Sequence, residues 1–119
     1  MEIDITEVNG TNFALITSDN IVIGDAQDAL DLLANCRYQG VSKMIIHKEH
    51  ITPQFFDLKT GLAGDVLQKF SNYDTQLAIV GDFSGYTSKS LKDFIYESNK
   101  MRRIVFVSTA DEAREKLTK

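Results

Sequence analysis

The sequence has little of several features that mark specialised classes of protein. A single cysteine among 119 residues excludes a disulfide framework, and no apolar run approaches the roughly 18 residues of a membrane span. The first ten residues, MEIDITEVNG, lack the basic and then apolar stretch of an export signal. The expectation from these absences is a cytoplasmic protein without a membrane segment.

The charge is modest and acidic. Seventeen acidic and 13 basic residues give a formal net charge of −4, so a general electrostatic attraction to nucleic acid or to an anionic membrane is not expected. A content of 43% hydrophobic residues is enough, at this length, to close one core. We therefore expect a single domain over residues 1–119, with no nucleic-acid partner.

Hydrophobic patterning divides the chain into two parts. Residues 1–24 predict short strands: Ile3 and Ile5 alternate, Asn9-Gly10 indicates a tight turn, and 13–16 and 21–23 are apolar. Residues 25–119 predict alternating helices and strands. The strands are expected near 44–46, 77–80 and 104–107. The helices are expected at 25–40, around 91–95, at 110–117, and from Pro53 through 62–73, where Gly61 and Gly64 leave open whether there is one helix or two.

Strands that alternate with helices require right-handed crossovers, and these produce a parallel sheet. The runs near Met44, Leu77 and Ile104 should therefore lie side by side and point the same way. The amino-terminal strands would extend the sheet in an antiparallel sense. The predicted fold is an α/β domain with a mixed, mostly parallel sheet of four to six strands, flanked by about four helices.

In open α/β sheets, ligands bind beyond the carboxyl ends of the strands. Loops 47–52, 81–88 and 108–109 are expected there. In the second loop, Gly81 and Gly85 permit close backbone approach, and several hydroxyls precede a helix, which is typical of a small-anion site. No GxGxxG or GxxxxGK[ST] pattern is present, which removes the main support for a nucleotide site. The structural alternative is that Thr87 or Ser88 caps the helix and Asp82 ends a strand.

Metal and nucleophile chemistry have weak support. His47, Glu49 and His50 form the one cluster with suitable ligands, but an extended backbone places His50 on the face opposite the other two. We expect no metal and no cofactor. Cys36 lies on the apolar face of the first predicted helix, where a thiol usually packs as a small hydrophobe.

Four aromatic residues lie near predicted strand ends or helix starts: Phe55, Phe56, Phe83 and Tyr86. If they are exposed together, they form an apolar partner surface. The alternative is that they belong to the core, because large aromatic side chains bury well in small domains.

The segment FFDLKTGLAGDVLQKFSNYDTQLAIVGDFSGYTSKSLKDFIYESN resembles a bacterial family catalogued as domain of unknown function 4180. The resemblance covers about residues 24–117 and is most specific in DLKTGLAG, LAIVGDF and SKSLKDFIYESN. The family name implies no activity. The order of elements is also similar to the STAS fold of anti-sigma factor antagonists.

In the STAS fold, a phosphorylatable serine precedes a glycine at the start of the second helix. The resemblance implies that Thr60, before Gly61, is a phospho-acceptor and that Asp57 is its acidic neighbour. The sequence departs from the STAS pattern at Leu58 and Lys59, where STAS proteins usually have small residues. The structural alternative is that Thr60 caps a helix.

We expect a non-enzymatic regulatory or protein-interaction module of STAS-like architecture. The candidate surface for a ligand or partner comprises Asp57, Gly61, Asp82, Phe83, Ser84, Ser88 and Asn99. The alternative is a small-ligand site or an enzyme in which Asp57, Asp82 and Ser84 converge, with Asn99 nearby. The expected partner is another protein, and the alternatives are a small anionic ligand and a second copy of the chain.

Overall fold

A computed structural model describes residues 1–118. Five strands form one sheet in the order of the sequence: β1 (Glu2–Val8), β2 (Thr11–Thr17), β3 (Lys43–His47), β4 (Gln76–Val80) and β5 (Ile104–Val107). β1 is antiparallel to β2, and the other neighbouring strands are parallel. The predicted α/β class is confirmed, as is the parallel arrangement of the runs near Met44, Leu77 and Ile104.

Four α-helices lie within the described residues: α1 (Ala26–Tyr38), α2 (Leu62–Asn72), α3 (Lys89–Met101) and α4 (Ala110–Leu117). The apolar sides of α1, α2 and α3 pack in one core with one face of the sheet. α4 packs in a smaller core on the opposite face through Ala113 and Leu117. Across residues 1–118, none of the helices has the length and apolar character needed to cross a bilayer.

The sequential strand order explains why three helices share one face. Each crossover from β2 to β5 moves in the same direction across the sheet, and right-handed crossovers in one direction place every connecting helix on the same side. A ligand crevice in an open α/β sheet forms where the direction of winding reverses. The described strands β2 to β5 have no such reversal, so their order provides no switch point of this kind.

The amino-terminal hairpin follows its predicted turn. Asn9 and Gly10 both have positive φ, 53° and 82°, which is the backbone that a two-residue turn between twisted strands requires. The expected strand at 21–23 was wrong, since only Ile23 forms a bridge, with Ile51. β3 ends at His47 and a 3₁₀ turn (Lys48–His50) follows. Residues 21–23 therefore have no extended strand beside them with which to form a longer pairing.

The helix predicted from Pro53 is replaced by two short 3₁₀ turns, Pro53–Phe56 and Leu58–Thr60. Pro53 occupies the first position of its turn, and the Thr52 side chain before it makes no capping bond. Asp57 has an extended backbone between the turns, and Gly61 has a left-handed φ of 78° immediately before α2. This backbone keeps the segment 53–60 separate from α2.

α3 covers the outer edge of β5. The Ser98 hydroxyl donates to the Ile104 carbonyl oxygen at 2.5 Å, and the Asn99 side chain accepts from the Phe106 amide at 2.7 Å. An unpaired strand edge is a template for aggregation, and these bonds occupy the outward groups of β5. At the other edge, β1 is mostly exposed.

Candidate functional site

The carboxyl ends of the parallel strands carry the loop 81–88 after β4 and the 3₁₀ segment 53–60 that follows β3. Phe56 in the segment stacks on Tyr86 in the loop, with ring centroids 5.2 Å apart. We call these two stretches, together with Lys48, the carboxyl-end surface. Most of the sequence-predicted site residues lie on it, at Asp57, Thr60, Asp82, Phe83, Ser84 and Ser88.

The loop is shaped by an internal turn. The Asp82 carboxylate accepts a hydrogen bond from the Ser84 hydroxyl at 2.6 Å and another from the Ser84 amide at 2.9 Å. The Ser84 hydroxyl bond is the largest cause that holds the pKa of Asp82 below its ordinary value, followed by the amide bond, and the positive charge of Lys48 adds to it. Asp82 is therefore an ionised turn residue bonded to its own neighbour.

Lys48 is a site residue that the sequence reasoning missed. Its ammonium donates to the Asp82 carbonyl oxygen at 2.6 Å. The same ammonium lies 5.6 Å from the ring centroid of Phe83 and 5.0 Å from that of Tyr86, within the range of cation–π attraction. One lysine thus ties the start of the loop to its aromatic side chains.

Gly81 provides the path for the Lys48 side chain. A Cβ atom at position 81 would lie 2.7 Å from both Cγ and Cδ of Lys48. The close approach expected at this glycine is therefore made by a lysine stem. The sequence alone gives no signal for this approach, because it depends on the register of β3 and β4. His47 pairs with Val80, so Lys48 and Gly81, the next residues along the two strands, lie side by side.

The aromatic residues divide between core and surface. Phe55 and Phe56 are buried, with 1% and 7% of their surfaces exposed, whereas Phe83 and Tyr86 are half-buried. Phe83 also packs edge-on against Phe106 of β5, with centroids 5.3 Å apart. Phe55 and Phe56 therefore belong to the core, and Phe83 and Tyr86 are partly exposed side chains packed against it.

Thr60 is exposed as a residue, but its hydroxyl is engaged. The oxygen lies 2.8 Å from the Gln54 carbonyl oxygen and 2.9 Å from that of Asp57, so its proton is donated within this pair. The hydroxyl oxygen also accepts from the Leu62 amide at 3.2 Å. It thereby satisfies an amide at the start of α2, because Gly61 at the N-cap position has no side chain to accept that bond. The Asp57 carboxylate accepts from the Lys59 amide.

Two further candidates have structural roles. The Ser88 hydroxyl accepts from the Leu91 amide at 3.2 Å and caps α3, which is the structural alternative considered for the loop. Asn99 lies at the β5 edge, bonded to Phe106. Its side-chain amide is thus used by the sheet, away from the loop 81–88.

The remaining polar candidates are dispersed. His50 Nδ1 lies 3.1 Å from the Asn20 carbonyl oxygen and its Nε2 lies 3.8 Å from Glu49. Within residues 1–118, no group of three or more His, Cys, Asp or Glu side chains is arranged to hold a metal. Cys36 is buried in the core, and burial raises its pKa to about 11, so at neutral pH it is a thiol.

Comparison with known proteins places the chain in a family. The family model described as domain of unknown function (DUF4180) matches residues 8–117, and the chain belongs to this family. A search of curated proteins found no match. Among solved structures, the chain is similar to a Thermotoga maritima protein described as a "putative anti-sigma factor antagonist", with 12% identity, 98% of this chain and 95% of that chain covered, and a TM-score of 0.49.

Proposed function

We propose that this member of the DUF4180 family is a regulatory protein-interaction module of the cytoplasm that binds a partner protein through the carboxyl-end surface. The observation that carries the proposal is how the polar groups are used. Asp82 bonds to Ser84, and Thr60 bonds to carbonyls of its own segment and to the start of α2. These bonds engage the polar groups within their own segments and hold the shape of the surface, which suits a preformed binding surface.

The composition of the surface also supports a protein partner. Phe83 and Tyr86 are half-buried aromatic side chains surrounded by exposed polar residues such as Ser84 and Thr87. Aromatic residues with a polar rim are enriched in protein interfaces. The bond from Lys48 to Asp82 and the stacking of Phe56 on Tyr86 order these rings in advance, which lowers the entropy cost of binding.

Phosphorylation of Thr60 would act on this surface. A kinase that transfers the γ-phosphoryl group of a nucleoside triphosphate to the Thr60 oxygen releases the nucleoside diphosphate and the hydroxyl proton, so Thr60 can no longer donate to the carbonyls of Gln54 and Asp57. The new charge would be repelled by these oxygens and attracted to the amides at the start of α2. The segment 53–60, which includes Phe56, would rearrange. The stacking of Phe56 on Tyr86 would then change as well.

Affinity capture with two tyrosine variants tests the binding surface. Tyr86 lies beside the ammonium of Lys48, and Tyr96, on α3, lies beside that of Lys100, each 5.0 Å from the ring centroid. We expect Tyr86→Ser to weaken binding of a partner from the native host about tenfold or more, since central aromatic residues dominate interfaces. The matched control, Tyr96→Ser, should bind like the wild type. A partner held equally by both variants, or retention of a metabolite alone, contradicts the proposal.

The phosphorylation step has a separate test. Intact-mass and peptide mass spectrometry of the protein from its native host should find phosphate on Thr60, and the phosphorylated and unmodified forms should differ in affinity for the captured partner. Absence of phosphate on Thr60 under all growth conditions would remove the switch and leave the binding surface as proposed.

A further inference from the structure

The outer edge of β1, which we call the β1 edge, differs from the opposite edge of the sheet. β1 is the last strand in the sheet order, and β2 is its one neighbour among the described residues. Native sheet edges are usually blunted by short strands, bulges, proline or lysine, or by a covering element. α3 covers β5 in this way, whereas β1 is a mostly exposed strand of seven residues without a bulge, proline or lysine.

The backbone groups that point outward from β1 follow from the turn after it. Val8 and Thr11 flank the two-residue turn, and such a pair exchanges both of its backbone hydrogen bonds. Bonded and non-bonded pairs then alternate along an antiparallel ladder. The residues whose amide and carbonyl groups point away from β2 are therefore Ile3, Ile5 and Glu7. These groups form a template on which a further strand can pair.

The side chains of β1 give this edge a negative charge. Glu2, Asp4 and Glu7 are exposed, and none of the ion pairs within residues 1–118 involves them. All 13 lysine and arginine residues of the chain lie at position 37 or later. A second copy of the chain would bring the same carboxylates and no base to this edge, which opposes self-pairing. A strand with basic side chains would instead meet opposite charges.

We infer that the β1 edge binds a basic, extended segment of a partner protein, which adds to the sheet as an outer antiparallel strand. Residues that lie directly opposite one another in such a pair share a face of the sheet. Basic residues should therefore lie opposite Glu2, Asp4 and Glu7. An apolar residue should lie opposite Ile5, which is 39% exposed. In the direction of the partner chain, the expected pattern is basic, any, apolar, basic, any, basic.

Titration with a synthetic peptide tests this pairing in the full chain. The probe has the sequence KTVKVK between threonines, and the control peptide, ETVEVE, has glutamate in place of each lysine. We expect the wild type to bind the first peptide and not the second. Hydrogen exchange measured by NMR should slow at the amides of Ile3, Ile5 and Glu7 when the probe binds. Non-specific attraction to an acidic surface would not protect these alternate amides.

Variants separate the contributions of charge and backbone. Asp4→Lys should weaken binding of KTVKVK about fivefold, because an attractive pair across the strands becomes repulsive. Asp65→Lys makes the same change of charge at an exposed position of α2 and should bind like the wild type. Ile5→Pro removes an outward amide without removing a bond to β2, and it should weaken binding about tenfold or more. Ile5→Thr retains the amide and should bind within about twofold of the wild type.

Thermal unfolding shows whether each variant is folded, and if Ile5→Pro is not, the matched pair Asp4→Lys and Asp65→Lys still decides. Equal weakening by these two variants overturns the inference, as do unchanged exchange at the outward amides, failure of the wild type to bind KTVKVK, and a chain that pairs with itself through β1. The inference is independent of the proposed function, because the carboxyl-end surface lies on other elements. Tyr86→Ser should therefore bind the peptide like the wild type.

Discussion

Two half-buried lysines stand at opposite ends of β3 and are held in different ways. Lys43, the first residue of the strand, donates to the side chain of Gln76 and to the Leu117 carbonyl oxygen at the end of α4. Lys48, just after the strand, donates to the Asp82 carbonyl oxygen and lies over two aromatic rings. The first lysine is part of a polar network, and the second is part of an aromatic surface.

Under the function proposed above, this difference separates an end that closes the fold from an end that binds a partner. At the amino end, Lys43 joins β3, β4 and α4, and Gln76 also donates to the Arg102 carbonyl oxygen. At the carboxyl end, Lys48 fixes only the adjacent loop. We expect substitutions at the amino end to affect global stability, and those at the carboxyl end to affect local order and binding.

Replacing each lysine with methionine should give the largest contrast. Lys43→Met removes the donor for the part-buried Leu117 carbonyl, and an unsatisfied buried acceptor costs about 1–3 kcal/mol of unfolding free energy. Lys48→Met leaves the exposed Asp82 carbonyl free to bind water, so the loss should stay below about 1 kcal/mol. Chemical denaturation of both variants measures the difference. Equal losses would show that the two ends are equally important for stability.

A double-mutant cycle at Gly81 and Lys48 sharpens the comparison at the carboxyl end. Gly81→Ala should cost about 1 kcal/mol, because its Cβ displaces the Lys48 stem and with it the bond to Asp82. In a Lys48→Ala background the same change should be neutral or stabilising by about 0.4–1 kcal/mol, since alanine restricts the unfolded chain more than glycine. Identical costs in both backgrounds would mean that another contact makes position 81 intolerant of a side chain.

The features that the sequence predicted well are those determined locally. Asp25 accepts from the Asp28 amide and starts α1, and the apolar spacing that follows marks the helix face. The hairpin turn at Asn9-Gly10 is equally local. The parallel sheet followed from alternation of elements, which restricts topology strongly.

The features that were missed depend on how the strands are arranged in the sheet. Lys48 and Gly81 meet only because β3 and β4 are parallel and in a particular register, which the sequence does not specify. Asn99 was a candidate for a ligand surface, yet its partner is the backbone of Phe106, at the edge that β5 occupies only in this strand order. Polar residue type indicated hydrogen bonding but could not identify the partner.

The two ends should also respond to opposite extremes of pH. Burial is the main cause that lowers the pKa of Lys43 below 10.5, with the charge of Arg103 adding and that of Asp74 opposing. The folded protein therefore binds fewer protons than the unfolded chain between the lowered value and 10.5, so the contribution of Lys43 to stability rises with pH across that interval. The stability of the wild type relative to Lys43→Met should increase there by a small amount. A difference in unfolding free energy between the two proteins that stays constant with pH would contradict this prediction.

The smallest expected effect is at Asp82, in acid. Its lowered pKa means that the carboxylate contributes stability above the ordinary value of 3.8, and that this contribution is lost as the pH falls through the lowered folded value. The Ser84 amide resonance should report the titration by NMR. Ser84→Ala removes the hydroxyl bond, the largest cause, and should move the midpoint towards 3.8 more than Lys48→Met does, because the charge of Lys48 is the smaller influence. The opposite ranking would mean that the lysine, more than the internal turn, organises the loop, and Lys48 would then be the residue to change first in binding experiments.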